Sequence, residues 1–259
     1  MFARVAIIVL MGVSAAKAAD PPPKVALRIP ETFNVGVSQR HFERGQAIVA
    51  SPDWARMTAL APLTEFHGWY GDKNADRDNL HGWTVRVYRT VSQKVLAALA
   101  KAKDGYEARL NEGPEFLSTG EESYMYARFE RKRFRWGDAV SFFSQSTQDG
   151  VSGVFFAPHN GLLQYEVWGV TRDHRYTVVA SVFSVSHPEL AGRVSRAREL
   201  RVARTLRELK RDRRYKLVER CSPDEFEPSL KAFDRLVDDL SFEKTSNQAM
   251  QRTAGRSAF

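Results

Sequence analysis

The chain contains 259 residues, of which 43% are hydrophobic, and this is enough to bury the core of one large domain or two small ones. Its formal net charge is +8. That balance favours acidic partners such as nucleic acid, anionic lipid or a polyanionic polymer, or it only keeps the surface solvated. The lone cysteine, Cys221, excludes an internal disulfide, so the fold depends on its core.

Residues 1–18 have the pattern of a secretory signal peptide. Arg4 precedes an apolar run over residues 5–13, and Ala16-Lys17-Ala18 supplies the small residues that signal peptidase requires. The run is shorter than the roughly 20 apolar residues of a membrane-spanning helix, and no later stretch is long and apolar enough to span. We therefore predict cleavage after Ala18 and a periplasmic or secreted bacterial protein. Loss of Arg4 and Lys17 lowers the formal charge from +8 to +6.

The first part of the mature chain combines a spacer with short strands. Residues 19–24 form a proline-rich spacer. Strands are predicted at 25–29, near 46–50, at 64–70 and at 83–90. Residues 51–54 resemble a helix start, because Pro52 occupies the first helical position.

The polar loop at residues 71–82 resembles half of a calcium-binding loop. Oxygen-bearing side chains occupy alternate positions: Asp72, Asn74, Asp76 and Asp78. However, Arg77 stands where the sharp turn needs glycine, and Trp83 stands where a bidentate glutamate closes such a site. We therefore predict an ordinary polar loop without tight calcium binding.

The middle of the chain predicts one helix and a basic hairpin. Residues 92–110 carry apolar side chains at helical spacing after the capping residue Ser92. Residues 124–134 and 139–146 alternate as two paired strands. Basic and aromatic side chains interleave on this hairpin, as on surfaces that bind a nucleic-acid strand. The same alternation is typical of any half-exposed strand, and nucleic acid is not expected as the partner of an exported protein.

The strongest structural signal lies in residues 161–188, which predict a central antiparallel hairpin. Alternation over 163–170 and a nearly continuous apolar run over 176–185 flank a short polar connection. Both faces of the second strand are predicted to be buried. One face carries Val178, Ala180 and Val182, and the other carries Val179, Phe183 and Val185. At the tip, Asp173 and His174 are predicted turn formers, and Trp168 is predicted to be partly buried.

Two further helices and a polar tail complete the chain. Residues 189–210 predict a long helix with His187 at its cap and Pro188 at its first position. Residues 228–240 predict a shorter helix, and residues 243–259 are predicted to be disordered. Together the elements predict a single α+β domain over residues 25–242. Its largely antiparallel β-sheet, a meander, is packed with helices mainly on one face.

The central hairpin also resembles a pattern in uncharacterised exported bacterial proteins. The pattern is carried by Leu163-x-Tyr165-x-x-x-Gly169-x-Thr171-x-Asp173-x-x-Tyr176-x-Val178, followed by His187-Pro188-x-Leu190. The chain departs from the family form at His174, which replaces a turn glycine, and at Thr177, which replaces a second tyrosine. The order of elements is also similar to that of the Mog1/PsbP-like fold. This resemblance implies a binding or assembly module and brings no catalytic residues.

The sequence contains no compact catalytic or metal motif. Its histidines include no pair at the spacing of a local zinc site. The chain also lacks a P-loop, a nucleophile elbow and a dinucleotide fingerprint. The residues around Cys221 match no nucleophile signature, so a structural or incidental thiol is predicted. No catalytic, cofactor-binding or metal-binding residue is assigned, and no cofactor is expected.

Three functions are compatible with the sequence. The first is an exported, non-catalytic envelope or secreted protein that binds another envelope component. The second is a protein that binds an anionic polymer through basic residues. These residues are Arg128, Arg131, Lys132, Arg133, Arg135, Arg193, Arg196, Arg201, Arg204 and Arg207. The third is a hydrolase with a dispersed active site, which requires a pocket that places His159 or His187 beside a serine and a carboxylate.

Overall fold

A computed structural model describes residues 23–41, 47–48, 62–71, 81–90, 123–147, 155–190, 202–203 and 205–243. The signal peptide, the helix start at 51–54, the helix at 92–110, most of the loop at 71–82 and the tail from 244 onward lie outside these residues. Val25–Phe242 groups as one compact unit. The chain has another unit, to which Lys24 and Glu243 belong. The side chains of these two residues form a salt bridge of 3.2 Å.

The described elements are mostly strands. In chain order the strands are β1 (Lys24–Leu27), β2 (Val35–His41), β3 (Ala47–Ile48), β4 (Thr64–Tyr70), β5 (His81–Thr90), β6 (Ser123–Arg133), β7 (Gly137–Thr147), β8 (Phe155–Phe156), β9 (Leu163–Thr171), β10 (Tyr176–Val182), β11 (Val202–Ala203) and β12 (Leu240–Glu243). The helices are α1 (Leu206–Arg211), α2 (Arg213–Arg220) and α3 (Leu230–Asp238). Short 3-10 turns lie at Glu31–Phe33 and Pro223–Glu225.

A large antiparallel sheet connects most of these strands. Its order is β2-β4-β5-β10-β9-β7-β6, and β3 pairs in parallel with β5 beside this path. Two small sheets pair β1 with β12 and β8 with β11. An α+β chain with a large antiparallel sheet is therefore confirmed. None of the helices in the described part of the chain has the length and apolar character needed to span a bilayer.

The central hairpin is confirmed as β9 and β10. Strand β10 pairs with β9 on one side and with β5 on the other, and every residue of β10 is buried. Successive side chains in a strand point to opposite faces. Val178 and Ala180 therefore lie in the larger hydrophobic cluster, whereas Val179 lies in a second cluster.

The end of β10 differs from the prediction for Phe183 and Val185. The strand stops at Val182, and Phe183 is only half-buried. Ser184 has a φ of 59°, which breaks the alternation of the strand. As a result, Val185 is buried in the larger cluster instead of on the opposite face.

The long helix predicted over residues 189–210 is confirmed only at its end, where Leu206–Arg211 forms α1, and is wrong for the described residues before it. Residues 188–189 lie in a turn, and Val202–Ala203 forms strand β11. Helix α1 begins only after Thr205, whose hydroxyl accepts a hydrogen bond of 3.2 Å from the Glu208 N–H. A threonine three residues before a glutamate is the signature of a helix N-terminus. Residues 191–201 lie outside the described chain.

The end of the chain is only partly as predicted. The helix predicted over residues 228–240 is confirmed as α3, with Ser229 at its cap. The chain then passes through Asp239 into β12, which was not predicted. Helix α2 was not predicted either. Its N-cap is Asp212, whose carboxylate accepts a hydrogen bond of 2.8 Å from the Arg214 N–H.

Two hydrophobic clusters pack on opposite faces of the large sheet. The larger contains the side chains of Val85 and Val87 of β5 together with Phe233 of α3 and Val218 of α2. The smaller cluster is built from six residues: Tyr88, Val140, Phe142, Trp168, Val170 and Val179. The predicted burial of Trp168 is therefore confirmed.

Candidate binding cleft at the turn of the central hairpin

A cleft of about 470 Å³ lies where the turn between β9 and β10 approaches the start of β12. The turn between β6 and β7 forms its third side. The lining residues are Arg135, Trp136, Thr171, Arg172, Asp173, Tyr176, Asp239, Leu240, Ser241 and Phe242. The cleft therefore depends on three segments that the sheet and α3 bring together.

The floor of the cleft is apolar and fixed in place. Trp136, Tyr176 and Leu240 are buried. The rings of Tyr176 and Phe242 stack with centroids 5.5 Å apart and an interplanar angle of 16°. Trp136 stacks on Phe134 at 5.2 Å, and its Nε1–H donates a hydrogen bond of 2.8 Å to the carbonyl oxygen of Val237. Because the indole is held on both its face and its edge, the floor is formed before any ligand arrives.

A glycine in β9 makes room for the indole. A Cβ atom at Gly169 would lie 2.7 Å from Cη2 of Trp136 and 2.6 Å from the Cβ of Ala139. Both distances are too short for any side chain larger than hydrogen. This requirement gives a physical reason for the glycine in the pattern Leu163-x-Tyr165-x-x-x-Gly169.

The turn that forms the rim is held by its own side chains. The Thr171 hydroxyl donates to the Asp173 carboxylate at 2.6 Å and accepts from the Tyr176 N–H at 3.1 Å. The same carboxylate oxygen accepts from the Arg175 N–H at 3.1 Å. His174 has a φ of 59°. Asp173 and His174 are thus confirmed as turn formers.

The two arginines of the rim differ in their partners. The backbone N–H and Nε–H of Arg135 donate to the Asp238 carboxylate at 2.6 Å and 2.9 Å, and its guanidinium also contacts Asp239. Arg172 is exposed, and no carboxylate of the described chain pairs with its guanidinium. Arg172 is therefore the cation of the rim that can meet an anionic group of a ligand.

Of the predicted polyanion residues, the structure brings Arg128 and Lys132 together at the carboxylate of Glu130, whereas Arg133 lies on the other side of the hairpin. On the side of the larger cluster, Arg128 pairs with Glu130 at 2.7 Å, and Lys132 pairs with Glu130 and Asp234 at 3.0 Å each. Arg133 lies opposite Asp138 across the hairpin and pairs with it at 3.4 Å. Of the other predicted residues, Arg131 and Arg207 are exposed, and Arg193, Arg196, Arg201 and Arg204 lie outside the described chain.

A chain of polar groups connects this hairpin to α3. The Tyr165 hydroxyl donates to Asp234 at 3.0 Å, and the other oxygen of Asp234 meets the ammonium of Lys132. Burial lowers the pKa of Lys132, but the carboxylates of Asp234 and Glu130 outweigh it, so the pKa is raised. The ammonium therefore remains charged, and the chain ties β6 and β9 to the helix behind the cleft.

The two histidines of the hydrolase hypothesis lie in different surroundings. His159 is buried, and its backbone N–H donates to the side chain of Gln145 at 2.9 Å. His187 is also buried and lies beside Cys221 and Glu225. Burial and the nearby Glu225 raise the pKa of the Cys221 thiol to about 11. The thiol is therefore protonated at neutral pH and is a poor nucleophile.

Comparison with known proteins gives no further constraint: no family model, curated protein or solved structure matches the chain. Sequence reasoning did not find the cleft, because its lining comes from separate segments. Arg172 could only be read as a solvated residue beside a turn. The signal that pointed to this region is the hairpin pattern, whose Thr171, Asp173 and Tyr176 line the cleft.

Proposed function

We propose that this protein is an exported, non-catalytic envelope or secreted protein that binds another envelope component in the cleft. The observation that supports this most is the combination of a preformed aromatic floor with a charged rim, which is typical of binding sites. The residues that line the cleft include no histidine, cysteine or lysine. The Thr171 hydroxyl is engaged by Asp173 and Tyr176 in holding the turn. These side chains are suited to binding and provide no activated nucleophile.

The chemistry of the cleft indicates the kind of partner. Trp136, Tyr176 and Phe242 offer an apolar surface, and aromatic side chains contribute strongly to binding energy at interfaces. Arg172 at the rim offers a guanidinium, which binds carboxylates well. The partner is therefore a protein segment that presents an aromatic or aliphatic side chain next to a carboxylate.

The proposal includes a location and an architecture. The protein is periplasmic or secreted after cleavage behind Ala18, as the sequence of residues 1–18 predicts. Its helices pack mainly on one face of the sheet, in an arrangement similar to the Mog1/PsbP-like fold. Support for a binding module comes from the hairpin pattern of exported proteins, because its residues supply one side of the cleft.

The alternative of polyanion binding has weaker support. Arg128, Lys132 and Arg135 each pair with carboxylates. Their charges are thus already compensated, and the alternation of the strand directs Lys132 and Arg133 to opposite sides of the hairpin. A polyanion would have to displace these pairs or depend on the other basic residues.

The proposal is tested by measuring the fraction of mature protein that binds to the envelope fraction of its source bacterium. Arg172→Glu and Ser241→Arg change the rim of the cleft and are expected to reduce the bound fraction strongly. Lys216→Glu is the control, because Lys216 is exposed on α2 and does not line the cleft. Equal binding of all three variants and the wild type would exclude the cleft as the binding site.

Sequencing of the exported protein should show Ala19 at its N-terminus, and an intact Met1 would contradict export with cleavage.

A further inference from the structure

Three different ligand types meet at the end of α2. Ligand atoms of His187, Cys221 and Glu225 all lie within 4.8 Å of one another, and Nε2 of His187 is 3.8 Å from a carboxylate oxygen of Glu225. The imidazole is buried, the thiol is partly buried and the carboxylate is exposed. An ion could therefore enter from the side of Glu225.

Local structure fixes the positions of these three residues. The backbones of Ser186 and Glu227 exchange two hydrogen bonds of 2.9 Å each, which hold the segment of His187 against the segment of Glu225. The Cys221 N–H donates a hydrogen bond of 2.9 Å to the carbonyl oxygen of Leu217 and so closes the last turn of α2. The ring of Phe226 packs against the imidazole with centroids 5.2 Å apart. The three side chains are thus brought together without any ion.

We propose that His187, Cys221 and Glu225 form a Zn²⁺ site with a fourth position open to water or to an external ligand. A nitrogen, a sulfur and an oxygen donor suit this borderline-soft ion. Three protein ligands with one open position are the arrangement of catalytic and exchangeable zinc sites. Zinc bond lengths of about 2.0–2.3 Å place neighbouring ligand atoms roughly 3.5 Å apart in a tetrahedron. The exposed side chain of Glu225 can supply most of the necessary movement.

Binding changes the protonation of two ligands. At present Nδ1 of His187 accepts a hydrogen bond of 3.1 Å from the Glu189 N–H, so the proton of the neutral ring is on Nε2. Coordination through Nε2 moves this proton to Nδ1 and breaks the bond to Glu189. The Glu189 amide lies in an exposed turn and can donate to water instead. The Cys221 thiol releases its proton to solvent and binds as the thiolate.

The test uses Co²⁺ as a spectroscopic probe of the mature protein. Stoichiometric Co²⁺ should give the visible bands of a tetrahedral site and a near-ultraviolet band from sulfur-to-cobalt charge transfer, and Zn²⁺ should remove both. Cys221→Ser should lose the charge-transfer band, and Glu225→Gln should weaken binding. In the wild type, metal should also shift the amide resonance of Glu189. His174→Gln is the matched control, because His174 is exposed at the hairpin turn, and it should bind as the wild type does.

Two outcomes would overturn the proposal. One is the absence of both bands in folded wild-type protein at excess Co²⁺. The other is a visible spectrum that persists in His187→Gln and leaves the Glu189 resonance unchanged, because the ion would then lie elsewhere. Circular dichroism of each variant shows that a lost band is not caused by unfolding. Neither outcome depends on the cleft, so this proposal and the proposed function can fail separately.

Discussion

Replacing Gly169 by alanine tests the packing that forms the floor of the cleft. The new Cβ would lie 2.6 Å from the Cβ of Ala139, 2.7 Å from the carbonyl oxygen of Asp138 and 2.7 Å from the Trp136 ring. Two of these atoms belong to the paired strand β7, so they cannot move without disturbing its register. Overpacking costs about 1–3 kcal/mol, and the smaller entropy of the unfolded chain offsets about 0.4–1 kcal/mol. The expected net loss of stability is therefore roughly 1–2 kcal/mol.

Gly82→Ala is the matched control within the same sheet. The nearest atom to a Cβ at Gly82 is 3.4 Å away in Trp69, which is 44% exposed, and Phe183 follows at 3.6 Å. These are ordinary contacts, so this variant should be neutral or more stable than the wild type by up to about 1 kcal/mol. Equilibrium urea unfolding measures both changes. A Gly169→Ala variant that unfolds at the wild-type midpoint would refute the described pairing of β7 with β9 and the position of Trp136.

Three further predictions concern the core and the hairpin. Burial raises the pKa of Glu166, although Ser144 and Trp168 donate hydrogen bonds to its carboxylate. The pKa of Glu166 is therefore about 4.3 in the unfolded chain and higher in the folded protein. As the pH rises through this interval, ionisation of Glu166 lowers the stability of the fold. Glu166→Gln keeps only one of the two acceptor oxygens, so its stability in urea is compared with the wild type at two pH values. The variant should gain stability relative to the wild type between about pH 4 and pH 8, and a pH-independent difference would contradict this. His174→Gly should leave the urea midpoint unchanged or raise it, because His174 has a φ of 59°; a lower midpoint would show that its side chain stabilises the turn. Phe233→Ala should cost about 3–5 kcal/mol, because the ring is 0% exposed and lies 6.1 Å from those of Phe33 and Tyr165. Phe183→Ala should cost less stability than Phe233→Ala, because Phe183 is half-buried. Equal losses of stability would contradict the described end of β10.

Local patterns in the sequence predicted the centre of the sheet. The apolar run at Tyr176–Val182 fits a strand with neighbours on both sides, and β10 has both. Strand β2 was missed because Gly36 has a φ of 56° and the register shifts between Val35 and Ser38. These features disturb the alternation on which a strand prediction depends. The helix prediction for the residues before Thr205 was wrong for the opposite reason, since apolar spacing continued across Thr205, after which α1 begins.

The candidate sites could not be predicted because they depend on contacts between distant segments. Lys132 faces a carboxylate on α3, so its role as a paired cation is not visible in the basic run around it. The cleft needs Trp136, Arg172 and Ser241, which only the folded chain brings together. Cys221 and Glu225 are close in the sequence, whereas His187 is distant. The β-bridge between Ser186 and Glu227 brings His187 to the other two residues. Single-sequence periodicity contains no information about such contacts.

The most direct test of the proposed binding function is photo-crosslinking from the cleft in intact cells. A photoreactive residue replaces Ser241 on the rim, or Lys216 on α2 as the control, and the crosslinked segment is identified by mass spectrometry. We predict that one envelope protein is captured from position 241, through a segment with an apolar side chain beside a carboxylate, and that this product is lost in Arg172→Glu. Crosslinking only from position 216, or the same product with and without Arg172, would contradict binding in the cleft.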